Sequence, residues 1–139
     1  MIVLDTNVVS ALMRDTPDAT VIRWLDRQQR ASVWTTSINV FETRLGLGIM
    51  PAGKRQAAMM ALYERVLSDT IQGRIACFDS DAAQHAAELA ARRKLKGRPV
   101  DVRDTMIAGI VLASYATFAT RNVKRFEEIA PSLVNPREA

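Results

Sequence analysis

Residues 2–13 read IVLDTNVVSALM and place an aspartate where an apolar strand meets an apolar helix. The apolar run at residues 2–4 predicts the end of a buried strand, and the apolar residues that follow Asn7 look helical. Asp5 could be the N-cap of that helix, which is a common role for aspartate. It could instead be a charge that binds something. The stretch alone leaves both interpretations open.

The composition is that of a globular protein, and we expect a single domain over residues 1–139. No apolar run approaches the roughly 20 residues that cross a membrane, and the start resembles no secretion signal, so we expect a cytoplasmic protein without a membrane. One cysteine, Cys77, excludes an internal disulfide and is expected in the core. With one histidine, zinc sites built from several His and Cys are excluded as well. The net charge of +4 is compatible with a polyanionic partner.

Short apolar strands alternate with amphipathic helices along the chain. The predicted strands are 2–4, 32–35, 74–78, 117–120 and, more weakly, 132–135. The predicted helices begin after Asn7, at Thr16-Pro17, at Ser37, at 54, at Asp79, at Asp101 and at Asn122, the last containing Phe126 and Ile129. This alternation is typical of an α/β fold with a mostly parallel sheet flanked by helices. In such folds ligands bind beyond the carboxyl ends of the strands, where Asp5 and Asn122 both fall.

Two further carboxylates lie on the apolar faces of predicted helices. Ile38, Phe41 and Leu45 form one apolar stripe, which we expect to face the protein. Glu42 is four residues from Ile38 and lies in that stripe, and Asp104 repeats the pattern on a later helix. A buried carboxylate must be paired, protonated or bound to a metal, because its uncompensated desolvation costs several kcal/mol.

Each of the three acids also has a purely structural explanation. Asp5 could cap a helix, and Asp104 could belong to the first turn of a helix capped by Asp101. Glu42 could pair with a core arginine such as Arg44 or Arg23. Taken together, three acids with few obvious cationic partners favour a shared cation. Oxygen ligands without His or Cys indicate Mg²⁺ or Mn²⁺.

Three segments of the chain carry a family resemblance. They are IVLDTNVVSALM at 2–13, TTSINVFETRLGLGIM at 35–50 and GRPVDVRDTMIAGIVLASYATFATRNVKRFEEI at 97–129. They resemble the PIN-domain ribonucleases, and among these the VapC-type toxins of bacterial toxin–antitoxin pairs, especially the FitB-like branch. The resemblance covers Ile2 to about Pro136. It implies a PIN-like three-layer sandwich with a short-stranded, mostly parallel sheet, and a metal-dependent endoribonuclease. It also implies RNA as substrate, a cognate VapB-type antitoxin, a homodimer and a larger toxin–antitoxin assembly held on operator DNA through the antitoxin.

The resemblance maps the family's acids onto Asp5, Glu42 and Asp104, as catalytic residues and as ligands of Mg²⁺ or Mn²⁺. Asn122 is the fourth predicted catalytic residue and departs from the many relatives that carry an acid there or three residues later, where this chain has Arg125. Its carbonyl could still bind a cation or a metal-bound water, but it adds no negative charge. We therefore expect one well-ordered metal, with a second arriving with RNA if at all.

Basic and hydroxyl residues near the predicted site are candidates for RNA contacts. Arg98 precedes one acidic segment, and Arg121 and Lys124 flank Asn122. Thr6 and Thr120 match hydroxyl positions of the family. The basic residues could also be solvated helix ends, which the helix dipole favours. An alternative for the whole chain is a non-catalytic or DNA-associated PIN-like binding module that works in a complex with its partner.

Overall fold

A parallel sheet forms the centre of the molecule in the computed structural model, which describes residues 1–138. In that part of the chain the strands are β1 (Ile2–Leu4), β2 (Val33–Thr36), β3 (Ile75–Ala76), β4 (Thr117–Ala119) and β5 (Leu133–Val134). Their order across the sheet is β3-β2-β1-β4-β5, and every neighbouring pair is parallel. The predicted fold class is confirmed.

Helices connect the strands. In residues 1–138 they are α1 (Thr6–Leu12), α2 (Ala19–Asp26), α3 (Ser37–Gly48), α4 (Lys54–Arg65), α5 (Ser80–Leu95), α6 (Val102–Ser114) and α7 (Val123–Phe126). A π-helical turn, Val66–Ile71, continues α4, and a 3₁₀ turn, Arg30–Ser32, precedes β2. Among these described helices, none combines the length and the apolar character needed to cross a membrane.

The sheet separates two apolar cores, because successive side chains of a strand point to opposite faces. Leu4 of β1 belongs to a core with residues of α1 to α4, among them Val8, Val21, Leu47 and Tyr63. Val3 belongs to the other core, with residues of α5 to α7, among them Leu89, Ile107, Val111 and Phe126. Helices therefore cover both faces of the sheet, as the predicted three-layer sandwich requires.

Two helix starts differ from the prediction. The α2 helix begins after Asp18, whose carboxylate accepts hydrogen bonds from the backbone N–H groups of the first turn, and not at Thr16-Pro17. The α3 helix is capped by Thr36, and the hydroxyl of Ser37 accepts a hydrogen bond from the backbone of Phe78 instead. In both cases the side chain of a neighbouring residue accepts hydrogen bonds from the free backbone N–H groups of the first turn, and that residue is the cap.

The remaining caps are closer to expectation. Asp79 caps α5 and Asp101 caps α6 through their carboxylates, as predicted. Asn122 precedes α7, but its side chain makes no capping hydrogen bond. The α7 helix ends at Phe126, so Ile129 lies beyond it.

The buried face of α3 is rotated from the predicted one. Phe41 and Leu45 are 56% and 42% exposed, whereas Asn39 and Leu47 are buried. The predicted apolar stripe is therefore wrong for Phe41 and Leu45, and Glu42 is half-buried at the edge of the actual buried face. The prediction of a core cysteine is also wrong, because Cys77 is exposed.

Candidate active site

The three predicted acids line one cleft at the carboxyl end of the sheet. Asp5 directly follows β1, Glu42 lies on α3 after β2, and Asp104 lies in the first turn of α6. The cleft has a volume of about 400 Å³. Asp5 and Asp104 are each only 8% exposed. Residues that are far apart in the sequence thus meet where the parallel strands end, as expected for this type of fold.

Hydrogen bonds fix the carboxylate of Asp5. Its Oδ1 accepts from the backbone N–H of Thr6 at 2.8 Å and from Nδ2 of Asn39 at 3.2 Å, and its Oδ2 accepts from the hydroxyl of Thr120 at 2.8 Å. Burial raises the pKa of Asp5, the hydrogen bonds from these three residues lower it, and the charge of Asp104 raises it. Asp5 is therefore both the cap of α1 and a buried carboxyl group that is costly to ionise.

Asn39 is a site residue that the sequence analysis did not identify. It is 1% exposed, its Oδ1 accepts from the hydroxyl of Thr36 at 2.7 Å, and its Nδ2 also donates to the hydroxyl of Thr6 at 3.0 Å. Its amide therefore ties the end of β2 to the turn after β1. An amide between apolar neighbours on α3 was the available signal in the sequence.

The pKa of Glu42 depends on the charges of the other acids in the cleft. Burial raises the pKa of Glu42, and the negative charges of Asp5 and, more weakly, Asp104 raise it further. The positive charges of Arg103 and Arg125 act in the opposite direction. The three carboxyl groups are thus close enough to repel one another when ionised, and a bound cation would relieve that repulsion.

Asp104 is paired with an arginine of α7. The Nε of Arg125 donates to Oδ2 of Asp104 at 2.5 Å, and an Nη2 atom of Arg125 lies 3.9 Å from Oδ2 of Asp101. Burial raises the pKa of Asp104, whereas Arg125 lowers it, and the carboxylate of Asp104 in turn raises the pKa of Arg125. Arg125, which stands where some relatives were expected to carry an acid, thus places a positive charge in the cleft.

The cleft offers carboxylate oxygens that could bind Mg²⁺ or Mn²⁺, but its three carboxylates are not gathered around one metal position. Carboxylate oxygens are the ligands these hard cations prefer. Within residues 1–138, neither Asp5 nor Glu42 forms an ion pair. In the same part of the chain, no three His, Cys, Asp or Glu side chains are gathered closely enough to hold a metal ion. The residues therefore fit the cation chemically, while Asp104 is engaged by Arg125.

Comparison with known proteins identifies the family. Residues 2–131 match the model of the PIN domain. The chain belongs to the PIN domain family. It is 38% identical over 138 residues to VapC ribonuclease Y4jK of Sinorhizobium fredii, covering 99% of each chain. It is 32% identical over 136 residues to Toxin FitB of Neisseria gonorrhoeae, covering 98% of each. The solved structure of FitAB bound to an IR36 DNA fragment contains a chain of 31% identity that superposes with a TM-score of 0.86, over 99% of this chain and 96% of that one.

The PIN-domain cleft includes only some of the residues predicted to contact RNA. Thr6 and Arg121 line it. Thr120 is fully buried and donates to Asp5, so the RNA contact predicted for it is wrong and its role is to hold the carboxylate. Arg98 lines a separate basic pocket beside Glu128, with which it forms an ion pair at 3.1 Å.

Asn122 and Lys124 are exposed and do not line the cleft of this PIN domain. The backbone N–H of Asn122 donates to the hydroxyl of Thr120 at 3.0 Å, and the same hydroxyl donates to Asp5. The catalytic role of Asn122 and the RNA contact of Lys124 stay predictions.

Proposed function

We propose that this PIN domain is a metal-dependent endoribonuclease that acts as the toxin of a toxin–antitoxin pair in the cytoplasm. The observation that carries the proposal is the meeting of Asp5, Glu42 and Asp104 in one cleft. The relatives named VapC ribonuclease and Toxin FitB, which match nearly the whole chain, support it.

The carboxylates of Asp5, Glu42 and Asp104 would hold Mg²⁺ or Mn²⁺. When bound, such a cation acidifies a water molecule for attack on phosphorus and neutralises charge on the phosphodiester. The protein's own part is to position these ligands: Thr120 and Asn39 hold Asp5 in one orientation through hydrogen bonds. Positioning of this kind lowers the cost of reorganisation during the reaction.

Arg125 has two possible partners in this scheme. In the structure it pairs with Asp104, and its side chain is 51% exposed, so it can also reach a bound anion. If Asp104 held a cation instead, the guanidinium of Arg125 would be free to pair with a phosphate oxygen of the RNA, a geometry that arginine suits. Arg125 would then bring positive charge where the family acid is missing.

The partner that restrains the nuclease would be a cognate VapB-type antitoxin. The pairing of Arg125 with Asp104 supports a route for inhibition, since it demonstrates that a guanidinium fits against this carboxylate. An antitoxin arginine could bind Asp5, Glu42 or Asp104 in the same way and exclude the cation. The relative FitAB, bound to DNA, supports an assembly on operator DNA through the antitoxin, and we expect the toxin itself to form a homodimer.

Expression in a bacterial host tests the proposal. Wild-type protein alone should arrest growth, and co-expression of the protein encoded beside it should restore growth. Asp104→Asn is the matched control: it keeps the side-chain shape and should express without arrest. If wild type expresses freely without a partner, the toxin proposal is wrong. If Asp104→Asn arrests growth as wild type does, the alternative of a non-catalytic or DNA-associated binding module is favoured.

A further inference from the structure

Two arginines that line the cleft have no ion-pair partner in the described part of the chain. Arg14 follows α1 and Arg121 follows β4, and both line the cleft that contains Asp5. In the described part of the chain, neither guanidinium forms an ion pair or donates a hydrogen bond to the protein. The role of these two side chains is therefore not explained by contacts within the fold.

The two arginines belong to a crowded basic cluster. Burial lowers the pKa of Arg121, and the charges of Arg137 and Arg14 lower it further. The nearby acid is Asp18, and its Oδ2 already accepts from Nε of Arg137 at 2.9 Å. The carboxylate whose charge acts on Arg121 is thus already paired with Arg137. Like charges held together without a counter-ion are unfavourable, so the cluster suits an anion from outside the protein.

The backbone around Arg121 is held in place by hydrogen bonds. Oδ1 of Asn7 accepts from the backbone N–H of Arg121 at 3.1 Å, and Nδ2 of Asn7 donates to the hydroxyl of Thr120 at 3.3 Å. Because Asn7 lies in the first turn of α1, it ties the loop after β4 to the helix that leads to Arg14. The backbone of Arg121 is therefore tied to the residues that hold the carboxylate of Asp5.

We propose that Arg14 and Arg121 form a phosphate subsite that binds the RNA backbone next to the phosphate being cleaved. This inference rests on the proposed ribonuclease function and adds how the strand is held. An RNA strand that enters a cleft with three carboxylates needs positive charge beside them, and these arginines line the same cleft. Guanidinium groups match phosphate oxygens in both charge and geometry.

The salt dependence of RNA binding tests the subsite. Binding of a labelled single-stranded RNA is measured by fluorescence anisotropy in chelator, which prevents cleavage and removes the contribution of Mg²⁺. The double variant Arg14→Gln/Arg121→Gln should reduce the slope of log K against log salt by about 1.4, since each phosphate contact on a single strand contributes about 0.7. Raising salt about fourfold should then weaken wild type about sevenfold more than the variant.

Two controls accompany this measurement. Arg55→Gln removes an exposed arginine of α4 and should leave the slope unchanged. The double Arg→Lys variant at positions 14 and 121 should keep the wild-type slope, because the charge is retained. Thermal melting verifies that each variant is folded, and loss of Arg121 should not lower Tm, because one repelling charge is removed.

Other results of these binding measurements would overturn the phosphate subsite. An unchanged slope in the double Gln variant overturns the subsite, even when wild type cleaves RNA. Wild type that binds RNA without any salt dependence overturns it too. Normal RNA binding with loss of antitoxin binding would assign the arginines to the protein partner instead. Failure of the ribonuclease proposal is seen separately, as a wild-type protein that does not cleave RNA in Mg²⁺.

Discussion

Replacing Thr120 by valine tests whether buried hydrogen bonds hold the carboxylate of Asp5. The two side chains have nearly the same shape, so the change removes the hydroxyl and leaves the packing. The hydroxyl is fully buried and donates to Oδ2 of Asp5 at 2.8 Å. It also accepts from the backbone N–H of Asn122 and from Nδ2 of Asn7. Valine therefore leaves one carboxylate oxygen and two N–H donors without this partner.

The expected loss of stability is large for a change of one group. A hydrogen bond to a charged group contributes about 1.5–3 kcal/mol, and an unsatisfied buried donor adds to the cost. We expect the free energy of unfolding of Thr120→Val to fall by about 2–4 kcal/mol at neutral pH. For a chain of this size about 1 kcal/mol corresponds to about 3 °C, so Tm should fall by about 6–12 °C.

The effect of Thr120→Val should depend on pH. Burial raises the pKa of Asp5 above its ordinary value of 3.8, and the hydrogen bond from Thr120 lowers it. Without that bond the folded-state pKa rises further, so the folded variant keeps its proton to a higher pH than folded wild type. Well below both folded-state pKa values Asp5 is protonated in both folded proteins, and the difference in stability is smallest. The difference grows as pH rises through the two folded-state pKa values and is complete above them.

Chemical denaturation at a series of pH values measures this difference. Thr117→Val is the matched control, because Thr117 lies on β4, the strand that leads to Thr120, and its hydroxyl bonds to that of Ser132 in an exposed position, at 2.9 Å. It should change stability by no more than about 0.5 kcal/mol at every pH. If Thr120→Val is no more destabilising than Thr117→Val, or if its effect is the same at acid and neutral pH, the hydrogen-bond network does not support Asp5 as described.

Three further predictions concern the cleft and the helix packing beside it. Arg125→Gln should tighten Mg²⁺ binding by about three- to tenfold in calorimetry. The reason is that Arg125 and the cation compete for Asp104, and a partly exposed ion pair is worth about 1 kcal/mol. Unchanged or weaker binding would contradict this. Asn122→Asp should also tighten Mg²⁺ binding, because it adds a negative charge. Unchanged Mg²⁺ affinity would mean that Asn122 has no role at the metal. Gly109→Ala should destabilise the fold by about 1–3 kcal/mol, because its Cβ would lie 2.5 Å from a carbonyl oxygen of α5. Gly46→Ala should instead stabilise the fold by about 0.5–1 kcal/mol, because Gly46 is on α3 and its added Cβ would meet nothing within 4 Å beyond its own stretch of helix. Similar effects of the two glycine changes would refute the packing argument.

The sequence was sufficient to predict that the acids meet. The strand–turn–helix at residues 2–13 placed Asp5 at the end of a buried strand, and the alternation of strands and helices predicted a parallel sheet. In such a sheet the carboxyl ends of the strands lie at one edge, so Asp5 and Asp104, which is in the first turn of α6, converge there. Glu42 is the exception, because the apolar stripe that predicted its inward position is wrong for Phe41 and Leu45. Local patterns and the regular geometry of parallel sheets carry this step, and the family resemblance named the same three acids.

The contacts inside the cleft could not be read from the sequence. Periodicity shows that α3 has an apolar side, but not that Phe41 and Leu45 are exposed while Asn39 is buried. Asn39 is buried because its amide bonds to Asp5, 34 residues away in the chain, and no local pattern encodes that pairing. The same holds for Arg125, whose bond to Asp104 depends on how α7 docks against α6.

The central claim is that the carboxylate cleft uses a divalent cation to cleave RNA. Its most direct test is the rate of RNA cleavage by purified wild type, Asp5→Asn, Glu42→Gln and Asp104→Asn, each with Mg²⁺ and with chelator, after circular dichroism has verified folding. Wild type should cleave in Mg²⁺ and stop in chelator, and each variant should be slower by at least about a hundredfold, since each loses a charge that holds the cation. Cleavage that continues in chelator, or folded variants that cut at the wild-type rate, would contradict the claim.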